Sequence, residues 1–307
     1  VCMMAGTASL PHVMMRYFTT PSVKAARRSV GWSLFFIFLL YSSAPMLATL
    51  SKLSLMDPNL ATGIIGKSIS EVQAIDWYQN WNQANLMFVS DFNGNGTLEL
   101  NEFFMGGKAV VLATPEIAGL PYVISGLVAA GGMAAAMSTA DGLVLAISNA
   151  LSHDIYYKMI NPKAETAKRL LIARILLVLI GFAGATIAAL EIQGILGSVI
   201  WAFDFAMSGL FFPLVLGVWW KRANAQGAVA GMLGGLAAGT AYLIAVRSGY
   251  PGFLDITQLT FGIVGSVVSL VLMIVVSLAT KAPDAATQKM VDEVRVPSGK
   301  AILGRQH

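Results

Sequence analysis

Blocks of about twenty apolar residues recur along this chain, and no other feature restricts its fold so far. GWSLFFIFLLYSSAPMLATL (31–50) and FGIVGSVVSLVLMIVVSLAT (261–280) are two of them. A helix rising about 1.5 Å per residue needs ~20 residues to cross the hydrocarbon core of a bilayer. Within that core only helices and closed barrels satisfy their backbone hydrogen bonds, so blocks of this length predict helical spans. Seven apolar segments follow, at roughly 1–18, 30–50, 117–152, 170–190, 195–219, 226–246 and 260–280. The first reads as a truncated span. The third is too long for one crossing and predicts a helix near the outer surface, followed by a span from Tyr122 to Ser148. Composition agrees: 12% of residues are charged, about half the share of a soluble domain.

The same composition excludes several function classes. With one cysteine, Cys2, no intrachain disulfide can form. There is no spaced Cys/His cluster, nucleophile elbow or phosphate loop, so nothing supports enzymatic catalysis. The net charge of +4 does not indicate nucleic-acid binding, because the basic residues lie between the spans. Fifteen of them fall on linkers 16–28, 158–169 and 221–222 and in the tail after 280, against Lys52, Lys67, Lys108 and Arg247 on the alternate linkers. The positive-inside rule makes the first set cytoplasmic. It puts the 51–116 linker, the 191–194 turn and the 247–259 loop outside, with the C-terminal tail inside as a solvated or disordered end. The chain starts at Val1 inside an apolar segment without a basic leader region, which leads us to expect a fragment whose targeting signal lies upstream.

Three local patterns carry chemistry. In VCMMAGTASLPHVMMRYF, GTAS is a poor helix interior, Ser9 suits an N-cap and Pro11 suits the first turn of a following helix. A helix broken inside a bilayer is tolerated where its freed backbone groups line a cavity, and the N-terminal end of the second half-helix can then face an anion. A kinked helix with no ligand fits this segment equally. Next, DFNGNGTLELNE (91–102) matches D-x-[DN]-x-[DN]-G-x5-E. Asp91, Asn93 and Asn95 supply side-chain oxygens, Thr97 its carbonyl, Glu99 a water-mediated contact and Glu102 a bidentate closure, with Gly96 at the turn. Leu98 supplies the apolar anchor of such a loop. A calcium ion is the expected ligand, in the weak range of about 10⁻⁴–10⁻³ M, since only three carboxylates and no second, pairing loop are present. Finally, Ala135, Ser138 and Thr139 share one helix face by their i, i+3, i+4 spacing. Taken alone, such hydroxyls most simply bond back to the preceding turn.

Burying a carboxylate in lipid is costly, so Asp141, three residues past Ser138, and Asp204, inside another span, are functional candidates. Asp141 suits either a cation path or a structural hydrogen bond, and Asp204 is the weaker of the two. His12 and His153 are isolated and read as structural groups, and Trp201, Phe203, Phe205, Trp219 and Trp220 mostly as anchoring and packing residues.

GTASLPHVMMRYFTTPSVKAARRSV, MSTADGLVLAISNALSHDIYYK (137–158) and FFPLVLGVWWKRANAQGA (211–228) together resemble the sodium:solute symporter family, in its acetate-permease-like branch. The three motifs occur in the family's order between residue 5 and about 245. The resemblance implies an all-α, polytopic transmembrane bundle of the inverted-repeat (LeuT-like) sodium symporter fold, here incomplete. Residues 1–50 would end a broken core helix and add the next span, and 51–116 would form an external loop holding 91–102. Residues 117–190 would be core spans with the cation-site helix, 191–280 the remaining spans and 281–307 the cytoplasmic tail. In the family the positions matching the Ala135 carbonyl and the Ser138 and Thr139 hydroxyls bind sodium, with further ligands on a helix this chain lacks.

The helix break at Gly6, Thr7, Ser9 and Pro11 would face substrate. The expected function is sodium-coupled symport of a small monocarboxylate, acetate foremost, across the plasma (inner) membrane. Its partners would be lipid, the carboxylate and the missing N-terminal portion. An amino acid, sugar or vitamin as substrate stays open, and so does a symporter-like sensor that binds solute or calcium without transport.

Overall fold

The computed structural model describes residues 1–15, 20–190 and 192–295, in two compact units. Three of the basic positions counted above, Arg16, Lys300 and Arg305, and Glu191 at one end of the 191–194 turn lie outside the described residues. Among the described residues six helices are long and apolar enough to cross a membrane. Residues 1–15 of the first apolar segment, 1–18, form two short helices instead, α1 (Cys2–Ser9) and α2 (Pro11–Met15), and the rest of that segment lies outside the described residues.

The unit of residues 28–141 takes most of α3 (Val23–Met56), which at 34 residues far exceeds the 30–50 segment. The extension has a physical cause at its C-terminal end. There Leu55 is buried, and the Ser51 and Thr114 hydroxyls share a 2.8 Å hydrogen bond, so the last turns of α3 root in the linker that follows. That linker folds around a core of its own. It contains α4 (Ile69–Gln73), α5 (Asp76–Gln83), the antiparallel hairpin β1 (Met87–Val89) and β2 (Phe103–Met105), and α6 (Val110–Ile117). Ile64, Val72, Tyr78, Met87, Leu98 and Ala113 fill its interior. The unit closes with the greater part of α7 (Tyr122–Asn149), a helix that continues as a π-helical stretch over Ala150–Ile160.

The second unit holds residues 1–27 and the described residues from 142 onward. It contains α8 (Thr166–Ala189), then α9 (Ile195–Ala206), a π-helical turn Met207–Phe211 and α10 (Phe212–Trp219), which together make one span. Next come α11 (Ala225–Arg247) and α12 (Gly262–Ala279). Gly227, Gly231, Gly235 and Gly239 are spaced by four on the buried face of α11, and α12 answers with Gly265, Ser266, Ser269, Met273 and Ser277. A Cβ at Gly231 would come 3.0 Å from the Ser269 carbonyl oxygen. Lipid tails are as apolar as the side chains, so backbone proximity, not exclusion of water, holds such a pair together.

The described part of the tail is helical and largely exposed: α13 (Ala285–Arg295) forms in a segment expected to be solvated or disordered, and residues 296–307 lie outside the described residues. Asp284 accepts the Thr287 N–H at 3.1 Å and caps the helix, Val291 is buried, and Lys221 pairs with Asp292 at 2.7 Å. Capping plus one apolar contact and one ion pair give this polar segment what composition alone did not indicate.

Candidate functional site: a hydroxyl face and a broken helix

The cation-site candidates lie on α7. Thr139 Oγ1 donates to the Ala135 carbonyl oxygen at 3.4 Å, a long bond at the edge of what geometry allows. The Ser138 hydroxyl is exposed and takes no partner among the described residues. Ala135 and Asp141 are also exposed. One carbonyl and two hydroxyls on adjacent positions thus present three oxygen donors on one face of a helix, a set suited to a hard monovalent cation. The back-bonding expected of an isolated hydroxyl pair is made by Thr139 alone and only weakly.

The chain break predicted near Ser9 and Pro11 falls at Leu10, whose backbone is extended (φ −70°, ψ 119°) between α1 and α2. The capping assignment needs correction. Ser9 Oγ donates to the Ala5 carbonyl at 2.6 Å and reaches the Gly6 carbonyl at 3.1 Å, so it closes α1 and does not open α2. The Leu10 carbonyl takes the opening role, accepting from Val13 N–H at 3.1 Å. The reason is burial: Ser9 has no exposed surface, and the nearest free acceptors are the last carbonyls of its own helix. Thr7 Oγ1 likewise donates to Met3, at 2.6 Å, and Pro11 begins α2 as expected. Gly6 is buried against α9, where its missing Cβ would meet Phe203 Cβ at 2.7 Å.

In the 91–102 loop each side-chain oxygen donor residue has a backbone or amide partner. Asp91 accepts from Gly94 N–H at 2.7 Å and Gly96 N–H at 3.1 Å, Asn93 from Asn95 N–H at 2.9 Å, and Asn95 from Thr97 N–H at 2.7 Å. Glu99 accepts from the Asn93 and Asn95 amides. The buried Glu102 accepts from Phe92 N–H at 2.9 Å and Glu99 N–H at 3.0 Å. Gly94 and Gly96 adopt positive φ, 74° and 72°, which explains glycine at both turn positions. Among the described residues no three His, Cys, Asp or Glu side chains converge as a metal cluster, so any ion here would depend on the asparagine and carbonyl oxygens. The absence of a second loop did not leave this one unpaired. Ser68 bridges Thr97, Leu98 N–H donates to the Lys67 carbonyl at 2.9 Å, and Gly66 N–H returns to the Leu98 carbonyl at 2.9 Å.

The structure places Ala135, Ser138, Thr139 and Asp141 on one helix, and Asp91, Asn93, Asn95, Thr97, Glu99 and Glu102 in one loop. Gly6, Thr7, Ser9 and Pro11 flank one chain break in the other unit. The residue that sequence reasoning underweighted is Asp204, which is fully buried. Its position inside an apolar span was the available signal. The aromatic residues have specific partners: Trp201 Nε1 donates to the Gln258 carbonyl at 2.8 Å, and Arg295 lies over the Trp219 ring.

Residues 108–235 match the sodium:solute symporter family. The chain is similar to an uncharacterized symporter of Cupriavidus necator, 45% identical over 258 residues that cover 83% of this chain and 36% of that protein. It is also similar to a monocarboxylic acid transporter of Corynebacterium glutamicum, 27% identical over 233 residues, 75% of this chain and 35% of that protein. The chain therefore spans about a third of the length of the curated relatives it matches. The family and these relatives are named as symporters and transporters, not as enzymes. With six membrane-length helices, this is a multi-pass helical membrane protein whose residues 108–235 match the sodium:solute symporter family.

Proposed function

We propose that the full-length protein is a sodium-coupled symporter of a small monocarboxylate such as acetate, working by alternating access in the cell membrane. The observation that carries this reading is the oxygen face of α7, Ala135, Ser138 and Thr139, inside the stretch that matches the family. The printed name of the corynebacterial relative supports a monocarboxylate over an amino acid or sugar. In this reading sodium binds the Ala135 carbonyl and the two hydroxyls, and Asp141 adds negative charge to the ion's path. The break at Gly6, Thr7, Ser9 and Pro11 faces the solute. The fifteen-to-four distribution of basic residues orients the linker 51–116 outward and the tail inward.

Uptake of labelled acetate by the full-length protein in liposomes tests this. An imposed sodium gradient accelerates uptake, and unlabelled propionate or lactate competes where glucose and alanine do not. Uptake indifferent to sodium, or competed by the sugar or amino acid alone, overturns the reading.

A calcium ion held by Asp91, Asn93, Asn95, the Thr97 carbonyl, Glu99 and Glu102 completes the proposal. It is supported by the residue pattern and by a loop already turned at Gly94 and Gly96 and anchored through Leu98. Outside the cell, where calcium is abundant, such a weak site would brace the folded linker and not act as a sensor.

A further inference from the structure

Asp204 is the tenth residue of the span Ile195–Trp219, about 14 Å along its axis, which sets it within the hydrocarbon layer. It exposes no surface, and among the described residues neither carboxyl oxygen has a hydrogen bond of standard geometry. The structure brings two helices against it. From α12, a Cβ at Gly262 would lie 2.9 Å from Asp204 Oδ1 and 2.9 Å from its Cα, so only glycine allows this approach. From α1, the Cys2 thiol lies beside the carboxyl but points to the Thr260 carbonyl, 3.9 Å away. On its own helix, Ser208 spends its hydroxyl on the Asp204 backbone carbonyl at 2.7 Å.

The other titratable or charged groups on these elements are few. α1 offers Cys2, whose thiol lies beside the carboxyl, and α12 and the π-helical turn offer none. On α11, Tyr242 is engaged with the Ile256 carbonyl and Phe253 N–H, and Arg247 stacks over Trp201.

An ionised carboxylate in this setting would carry a desolvation cost of several kcal/mol, with only the neighbouring Cys2 thiol and Gly262 N–H, and no cationic side chain, among the described residues to offset it. A hard metal cation would need a shell of several oxygens, whereas the surroundings are a thiol, a glycine and a hydroxyl already committed elsewhere. A proton satisfies the carboxyl with no further ligand. Resting on the transport reading above, we propose that Asp204 is a proton-binding site of the transport cycle, loaded while α9 is packed between α1 and α12 and emptied when those helices part. In loading, the carboxylate takes a proton from hydronium and releases water. In unloading, it returns the proton to water.

The fold supplies a means of parting. The π-helical turn Met207–Phe211 follows directly on Asp204's helix, a local geometry often found at functional sites. Gly6, beside the helix break, packs on the adjacent Phe203. Movement of the broken helix therefore bears directly on the segment that holds the carboxyl.

Infrared spectroscopy of the full-length protein in lipid tests this without any solute moving, so its outcome is independent of the transport reading. We expect a protonated-carboxyl C=O band at neutral pH that shifts on ¹³C-aspartate labelling and is missing in Asp204→Asn. The labelling in the unmutated protein identifies an aspartate, as opposed to the buried Glu102, even where the variant fails to fold. Absence of an aspartate band at neutral pH overturns the proposal, and so does its persistence in a folded Asp204→Asn protein. Equilibrium binding of radiolabelled sodium gives the second arm. Unchanged stoichiometry in Asp204→Asn agrees with a proton, and loss of one sodium ion makes this an alkali site and overturns the assignment.

Discussion

Gly6 of α1 lies so close to Phe203 of α9 that a methyl group on the glycine would come 2.7 Å from Phe203 Cβ. The neighbouring Thr7 is exposed and bonded only within its own helix. Gly6→Ala therefore has to push two helices apart. We expect it to lower stability by about 1–3 kcal/mol, the usual cost of overpacking. Thr7→Ala should stay within about 0.5 kcal/mol. Thermal midpoints of the full-length protein in detergent measure both, and equal midpoints would contradict the packing of α1 on α9.

Lys221 and Asp292 tie the end of α10 to α13 at 2.7 Å. The Lys221 ammonium, hydrogen-bonded to the Asp292 carboxylate, holds that carboxyl below the ordinary aspartate range. A depressed folded value makes the contribution to α13 fully present above the ordinary value of about 3.9 and lost as pH falls through the depressed one. Amide-exchange protection of residues 285–295, corrected for intrinsic rates, should be flat near neutral pH and fall in the acid range. Asp292→Asn should lower it already at neutral pH. Protection that is identical in both proteins throughout would remove the ion pair as the anchor.

Much of this was legible in the sequence because lipid leaves few options. A run such as 261–280 has no fold other than a helix in a bilayer, and α12 spans Gly262–Ala279. The break near Pro11 was readable too, since proline fixes the start of a helix. The role of Ser9 was not: whether a hydroxyl caps forward or backward depends on burial, which is a tertiary property. The core of the 51–116 linker was hidden for a related reason. Ile64, Val72, Met87 and Leu98 sit on short helices, turns and strands, none long enough to show a period, and Leu55 ends the long apolar α3, where its pattern does not set it apart from lipid-facing neighbours. The partner of the 91–102 loop, Gly66–Ile69, carries no motif because it contributes backbone alone.

The calcium proposal makes a separate claim on stability. Millimolar calcium, not magnesium, should raise the thermal midpoint of the full-length protein, with half-saturation at about 10⁻⁴–10⁻³ M. Glu102→Gln should abolish the rise. A midpoint indifferent to calcium would reduce the 91–102 loop to a structural turn.

The most direct test of the central claim is the sodium dependence of labelled acetate uptake by the full-length protein, compared with Ser138→Ala and Thr139→Ala. Each variant removes one of three oxygen donors on α7. If a lost donor costs about 1.5–3 kcal/mol, as for hydrogen bonds to charged groups, half-maximal activation should need at least tenfold more sodium. Sodium activation curves that superimpose for all three proteins would contradict the account.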